Sequence, residues 1–261
     1  HRARSRSRGI RAVSRLHPRL PFLPSRFCVS SVREKKADTL IKQALDLLYC
    51  TGHSEVALTS LSTSDYTQLA EFTEKLTEET EKRKVNLSLP SLRVDSFSLD
   101  LMEKTQKVRK SGLTFAPEAG TQRLRDVINK NISEEDILNA VKIAQSGGYT
   151  TIKLYFMLGL PGETLEDVEG IAQLTEKITD IYKESENKKL YGRLSITVST
   201  SYFVPKPFTP FQWVPQIEKE EYVKRQQHLE KLLKKNKKVR YNWHHGDMSV
   251  LEAVMARGDR S

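Results

Sequence analysis

The feature that most constrains this chain is a regular alternation of short apolar strands and amphipathic helices between residues 34 and 200. Residues 34–50 read as a helix, with Leu40, Ala44, Leu47 and Leu48 near helical spacing and Cys50 closing the pattern as a core residue. Strands follow over 55–60, 85–89 and 113–116, separated by helices over 65–83 and 99–108. Helices over 121–129 and 134–145 come next, the second opened by Ser133 as an N-cap and stopped by Gly147 and Gly148. Residues 150–158 make the strongest strand, with Ile152, Leu154, Phe156 and Leu158 on one face. A helix over 165–182, a strand over 194–199, a proline-rich loop over 204–210 and a charged helix over 218–235 complete the pattern. A short strand over 239–243 and a helix over 249–256 follow.

Strands separated by crossover helices dictate a parallel sheet, either open and doubly wound or curled into a barrel. In both architectures the loops that carry function lie at the carboxyl ends of the strands. The chain has 261 residues, enough to bury a core without disulfides or metal. No apolar run reaches the length of a membrane-spanning helix, so no membrane partner is expected.

The net charge of +10 suggests a nucleic-acid partner until its distribution is considered. Residues 1–33 hold nine arginines and no acid, and the remaining 34 basic and 33 acidic side chains nearly cancel. An RNA-binding role through this Arg-rich arm is therefore an alternative, as is a transit peptide. Two cysteines, Cys28 and Cys50, cannot build a disulfide framework; they point to a reducing compartment and a cytoplasmic location.

The polar loops fall where the strand-end rule puts them. Ser60, Ser62, Ser64 and Asp65 gather hydroxyls and a carboxylate at a helix start, where Ser64 or Asp65 could equally be a simple cap. Ser91 and Arg93 follow the next strand, and Arg93 can grip a carboxylate or pair with Asp95. Glu118 ends the third strand before a tight glycine turn, placed either to face a ligand or to pair with Arg123. Gly159, Pro161 and Gly162 shape a turn that lets backbone approach a flat ligand.

Taken together, Ser-Leu-Arg-Val-Asp at 91–95, Ala-Pro-Glu-Ala-Gly-Thr-Gln-Arg-Leu-Arg at 116–125, Gly-Leu-Pro-Gly-Glu-Thr at 159–164 and Phe-Val-Pro-Lys-Pro-Phe-Thr-Pro-Phe-Gln-Trp at 203–213 resemble the radical SAM superfamily. More narrowly they resemble a bacterial group whose members often carry an upstream cobalamin-binding-like domain. The resemblance covers residues 32–261 and implies an α/β fold, a partial (β/α)6 TIM-like barrel over 32–203 with a C-terminal α/β extension over 204–261. It implies S-adenosyl-L-methionine and a 4Fe-4S cluster as cofactors, an electron donor as partner, and cleavage to a 5′-deoxyadenosyl radical acting on an unknown substrate, RNA or protein among the possibilities. By position, Ser60–Tyr66 would sit near the methionine amino group, and Glu118 and Arg123 near the ribose and carboxylate. Gly159–Gly162 and Val198–Ser199 would line the adenine. Phe208, Phe211 and Trp213 would face substrate or close the barrel by packing.

One departure stands out. The superfamily's C-x-x-x-C-x-x-C belongs just before Val32, and Cys28 is the single cysteine there, a weak ligand by itself. Leu16, Leu20 and Leu23, each followed by a residue whose codon begins with C, have the spacing of the missing cysteines. Read one base downstream, 15–31 can encode Gly-Cys-Ile-Arg-Gly-Cys-Arg-Phe-Cys-Gln-Ala-Gly-Phe-Val-Tyr-Arg-Pro, which joins Val32-Arg33-Glu34 if one base is missing near codon 31. Residues 1–31 are accordingly read as an out-of-frame or disordered basic segment that spoils the first strand. Residues 256–260 resemble an internal segment of the family, so the chain is read as a fragment. His244 and His245 are read as surface or structural histidines rather than metal ligands. A non-catalytic barrel that binds a nucleotide-like ligand or serves as a scaffold remains the rival reading.

Overall fold

The structure is a computed structural model that describes residues 8–11, 34–59, 66–83, 85–88 and 112–258. It divides into two units at about residue 113, each with its own sheet.

The first unit holds β1 (Arg8–Arg11), α1 (Ala37–Thr51), β2 (Glu55–Thr59), α2 (Leu69–Lys82) and β3 (Asn86–Ser88). Its three strands run parallel in the order β1-β2-β3, with Ile10 opposite Leu58 and Val56 opposite Leu87. The sequence reading has the basic segment spoil the first strand; the backbone of Arg8–Arg11 instead forms a strand paired with β2. Ladder hydrogen bonds need only N–H and C=O groups, which any stretch without proline supplies.

Leu40, Ala44 and Leu48 of α1 pack with Phe72 and Leu76 of α2 and with Val56. Cys50 is exposed, not core as its sequence context suggests. Two positions beyond Leu48 a helix has turned by roughly 200°, so Cys50 falls on the opposite face. The helix expected from residue 65 begins at Leu69, with Gln68 as its N-cap. The Gln68 side-chain oxygen accepts from the Ala37 backbone N–H at 2.9 Å, which caps α1 from a distant loop.

The second unit contains β4 (Leu113–Glu118), α3 (Gln122–Val127), α4 (Glu134–Ser146), β5 (Thr151–Leu158), α5 (Leu165–Glu184) and α6 (Lys188–Arg193). It continues through β6 (Ser195–Tyr202), a 3-10 turn (Pro210–Trp213), α7 (Lys219–Leu233), β7 (Val239–Trp243) and α8 (Gly246–Arg257). Ser133 caps α4 in a full capping box with Asp136. The sheet order is β4-β5-β6-β7, and it is not closed.

β5, β6 and β7 run parallel, so residues paired in register point to the same side. Ile152, Leu154, Phe156 and Leu158 of β5 and Ile196, Val198, Thr200 and Tyr202 of β6 are buried. Helix α5 packs against α4 and α7, and α7 against β5 and β7. The opposite face carries Lys153, Tyr155, Thr197, Ser199, Arg240 and Asn242, all exposed or half-exposed. Strict alternation on a sheet with one buried face produces this division.

Candidate functional site

The strand ends of β4 and β5 are built as two mutually braced loops. Glu118, the last residue of β4, adopts φ 68°, a left-handed conformation unusual for a side-chain-bearing residue. Its carboxylate accepts from Lys130 Nζ at 3.2 Å. Lys130 lies between Asn129 at φ 52° and Asn131 at φ 34°. Three of the four non-glycine residues with positive φ among the described residues thus converge on one ion pair. Local strain of this kind persists only where surrounding contacts over-determine it, and it concentrates at functional sites.

Behind Glu118, Arg125 is fully buried and donates to the Ala119 carbonyl at 3.0 Å, the Gly120 carbonyl at 3.4 Å and Gln122 Oε1. Burial lowers its guanidinium from the ordinary arginine value, with Glu134 and Asp126 opposing that fall. Thr121 caps α3. Gly120 lies so close to α5 that a Cβ there would overlap the Asp167 carbonyl and stand 2.5 Å from the Ile171 nitrogen. Gly170 meets the same turn from the other side, where a Cβ would stand 3.1 Å from the Gly120 carbonyl oxygen.

Asp167 ties the two loops. Its carboxylate accepts from Thr121 Oγ1 and from Arg123, and from the Thr164 backbone N–H at 2.8 Å. Burial pushes this carboxyl up, yet the hydrogen bonds from Thr121, Thr164 and Arg123 outweigh it and hold it below the usual range. Arg123 also donates to the Gly162 carbonyl at 2.9 Å. The alternative pairing of Glu118 with Arg123 is therefore not the one formed; each finds a different partner.

In the second loop Gly159 adopts φ 85° and Gly162 φ 72°. Glycine is required at 159 by its left-handed φ, and a Cβ there would also press on the Ile217 side chain at 2.8 Å. The Gly159 N–H donates to Glu163 Oε1 at 2.9 Å, and Arg225 Nη1 donates to the same oxygen at 2.7 Å. Burial raises the Glu163 carboxyl, against the downward pull of Gly159 and Arg225. A cavity of about 240 Å³ lies beside this loop, lined by Gly159–Glu163, Val214, Pro215, Ile217 and Arg225.

Of the residues expected at the site, Glu118, Arg123, Gly159, Pro161 and Gly162 fall in these loops, and Ser199 lies on the open face of β6. Val198 is fully buried on the other face and turned away from it, as the strand alternation requires. Ser60, Ser62, Ser64, Asp65, Ser91, Arg93 and Cys28 lie outside the described residues. Phe211 packs edge-on against Phe203 at 6.0 Å, whereas Phe208 and Trp213 are 71 % and 84 % exposed. His244 and His245 are exposed, and among the described residues no three metal-ligating side chains gather.

Sequence reasoning missed Lys130, Asp167, Glu163 and Arg225. Asp167 does carry a signal, since Thr164 and Asp167 form a capping box at the start of α5. Lys130 and Arg225 pair with carboxylates 12 and 62 positions away, and local spacing does not reveal that.

Residues 27–175 match the radical SAM superfamily, and the chain belongs to it. An uncharacterised protein of Methanocaldococcus jannaschii is 34 % identical over 245 residues, 90 % of this chain and 50 % of that relative. The chain thus spans about half the length of the curated relative it matches. Among solved structures, the fold is similar to the cobalamin-dependent S-adenosylmethionine radical enzyme OxsB with aqua-cobalamin bound, at TM-score 0.58 and 14 % identity over 78 % of this chain and 34 % of that one. It is similar to the radical S-adenosylmethionine methyltransferase TsrM of Kitasatospora setae with cobalamin and a [4Fe-4S] cluster, at TM-score 0.57 and 13 % identity over 78 % and 38 %. These likenesses establish an α/β fold of the partial-barrel kind with an unclosed sheet. Among the described residues no helix is long and apolar enough to cross a membrane.

Proposed function

We propose that this chain is the core of a radical SAM enzyme and that the strand ends of β4 to β6 hold S-adenosylmethionine. The observation that carries the reading is the braced pair of loops, with Glu118 fixed by Lys130 and the Gly159 N–H fixed by Glu163. Preorganised groups of this kind bind without an ordering cost at the moment of association. Glu118 offers a carboxylate to the ligand's hydroxyls, Gly159–Gly162 offers backbone at close approach, and Ser199 offers a hydroxyl. Ser60, Ser62, Ser64, Asp65, Ser91 and Arg93 are proposed from the sequence as further S-adenosylmethionine-binding residues.

In this superfamily S-adenosylmethionine supplies a 5′-deoxyadenosyl radical when it is reductively cleaved at an iron–sulfur cluster. The residues present do not fit that cluster: the sequence contains two cysteines, and Cys50 is free and exposed on a helix. No step through a cluster is therefore derived for this chain. An electron donor and a cobalamin-binding-like domain are proposed partners, the second supported by the cobalamin bound in the TsrM and OxsB structures. The shortage of cysteines favours one rival, a barrel that binds the nucleoside ligand without radical chemistry.

Calorimetric titration with S-adenosylmethionine and S-adenosylhomocysteine tests the reading. Saturable binding that weakens about tenfold in Glu118→Gln is expected, the effect of losing one charge-assisted hydrogen bond. A chain that binds neither compound would overturn it. Anaerobic reconstitution with iron and sulfide then separates the two forms. A cluster absorbance supports the enzyme, and its absence with nucleoside binding intact supports the rival.

A further inference from the structure

Besides Ser199, the open face of the second sheet carries polar groups that the proposed nucleoside site does not use. Register places Lys153, Thr197 and Arg240 side by side on β5, β6 and β7, and Tyr155, Ser199 and Asn242 in the next row. Among the described residues none of these six side chains has a hydrogen-bond or ion-pair partner. On the outer helices cations such as Lys177, Arg225 and Lys219 are paired with Glu134, Glu163 and Asp247. No carboxylate stands on the open face of β5, β6 or β7, whose remaining members are Thr151, Met157, Ser195 and Ser201.

Adjacent strands lie about 4.8 Å apart, so Lys153 and Arg240 are separated by about 10 Å with Thr197 between them. Both side chains are long enough to lean over Thr197 from opposite sides and reach one small group. Every polar group in the two rows can donate a hydrogen bond, and two of them carry fixed positive charge. The complementary ligand is an oxyanion with several acceptor atoms.

We infer that this face is a binding site for a phosphate- or carboxylate-bearing ligand, gripped by Lys153 and Arg240 across Thr197. Lys153 stands about 13 Å along β5 from Met157 near the carboxyl end. A ligand held there would extend toward the nucleoside site, so we assign the anion to the substrate, and this part of the inference rests on the function proposed above. The site thereby selects substrates that carry an anionic group remote from the reacting carbon.

Titration of the full chain with inorganic pyrophosphate and, separately, with citrate tests the site by calorimetry. Saturable one-to-one binding of at least one is expected, and the stronger of the two names the group. Lys153→Gln and Arg240→Gln should each weaken it about tenfold, as loss of a charge-assisted contact does. Lys177→Gln, on an outer helix, should leave it unchanged. Circular dichroism checks that each variant is folded. The inference is overturned if neither anion saturates, or if Lys177→Gln weakens binding as much as the other two. Anion binding without S-adenosylhomocysteine binding would leave the oxyanion site standing and remove its assignment to a radical substrate. The reverse outcome would sink the inference and leave the proposed function intact.

Discussion

Lys130 Nζ lies 3.2 Å from Glu118 Oε1, with only 13 % and 20 % of the two side chains exposed. Breaking such a pair leaves one charge largely desolvated. Lys130→Met should cost about 2 kcal/mol in denaturant unfolding, below the cost for a fully buried pair. Adding Glu118→Gln should recover part of that loss, and the double-mutant cycle should report coupling of about 1 kcal/mol. Additive losses would show that the ion pair does not hold the strand end.

Asp167 and Glu163 lie four positions apart and shift in opposite directions. Asp167 is depressed, so its stabilisation is present above its unfolded value and disappears as pH falls through the folded one. Glu163 is raised, so its contribution is present below its unfolded value and is lost as pH rises through the folded one. Unfolding midpoints followed from about pH 3 to pH 7 should therefore separate two variants. Asp167→Asn should flatten the acid limb, and Glu163→Gln should gain on the wild type as pH climbs. Parallel curves for all three proteins would contradict both assignments.

Gly120→Ala should be among the most damaging conservative changes. Its Cβ would enter the backbone of α5, which has no flexible neighbour to move aside. A loss of about 3 kcal/mol is expected from overpacking against main chain, read as a fall in the thermal midpoint. Gly162→Ala, which meets no atom within 4 Å, should cost less and only through its φ of 72°.

The encoding DNA across codons 1–35 should contain a single-base change near codon 31. In the shifted frame the three cysteines fall at positions 16, 20 and 23, ahead of α1. A repaired chain should take up a cluster on reconstitution. Confirmation of the present codons would make the non-catalytic barrel the leading reading.

Much of this architecture was legible because its signals are local. Alternation in β5 gave Ile152, Leu154, Phe156 and Leu158 as the buried face, and all four are buried. Ser133 announced α4 because a cap and its partner are three residues apart. Cys50 misled because a helix stripe near its end can be continued onto either face. Glu118 was placed correctly at a strand end, but its partner came from Lys130 through a turn made by two asparagines in the left-handed region. Such a turn has no periodicity to detect. The open polar face needed the register of three strands, and no single strand discloses it.

The near contact of Gly120 with Gly170 has a mechanical consequence. Together with the bonds of Asp167 to Thr121 and Thr164, it welds the loop after β4 to the loop after β5. Neither can swing outward alone, and their amides should exchange with deuterium as one slow cooperative group. A ligand must then arrive through an opening elsewhere, because these two loops form a hinge-free wall.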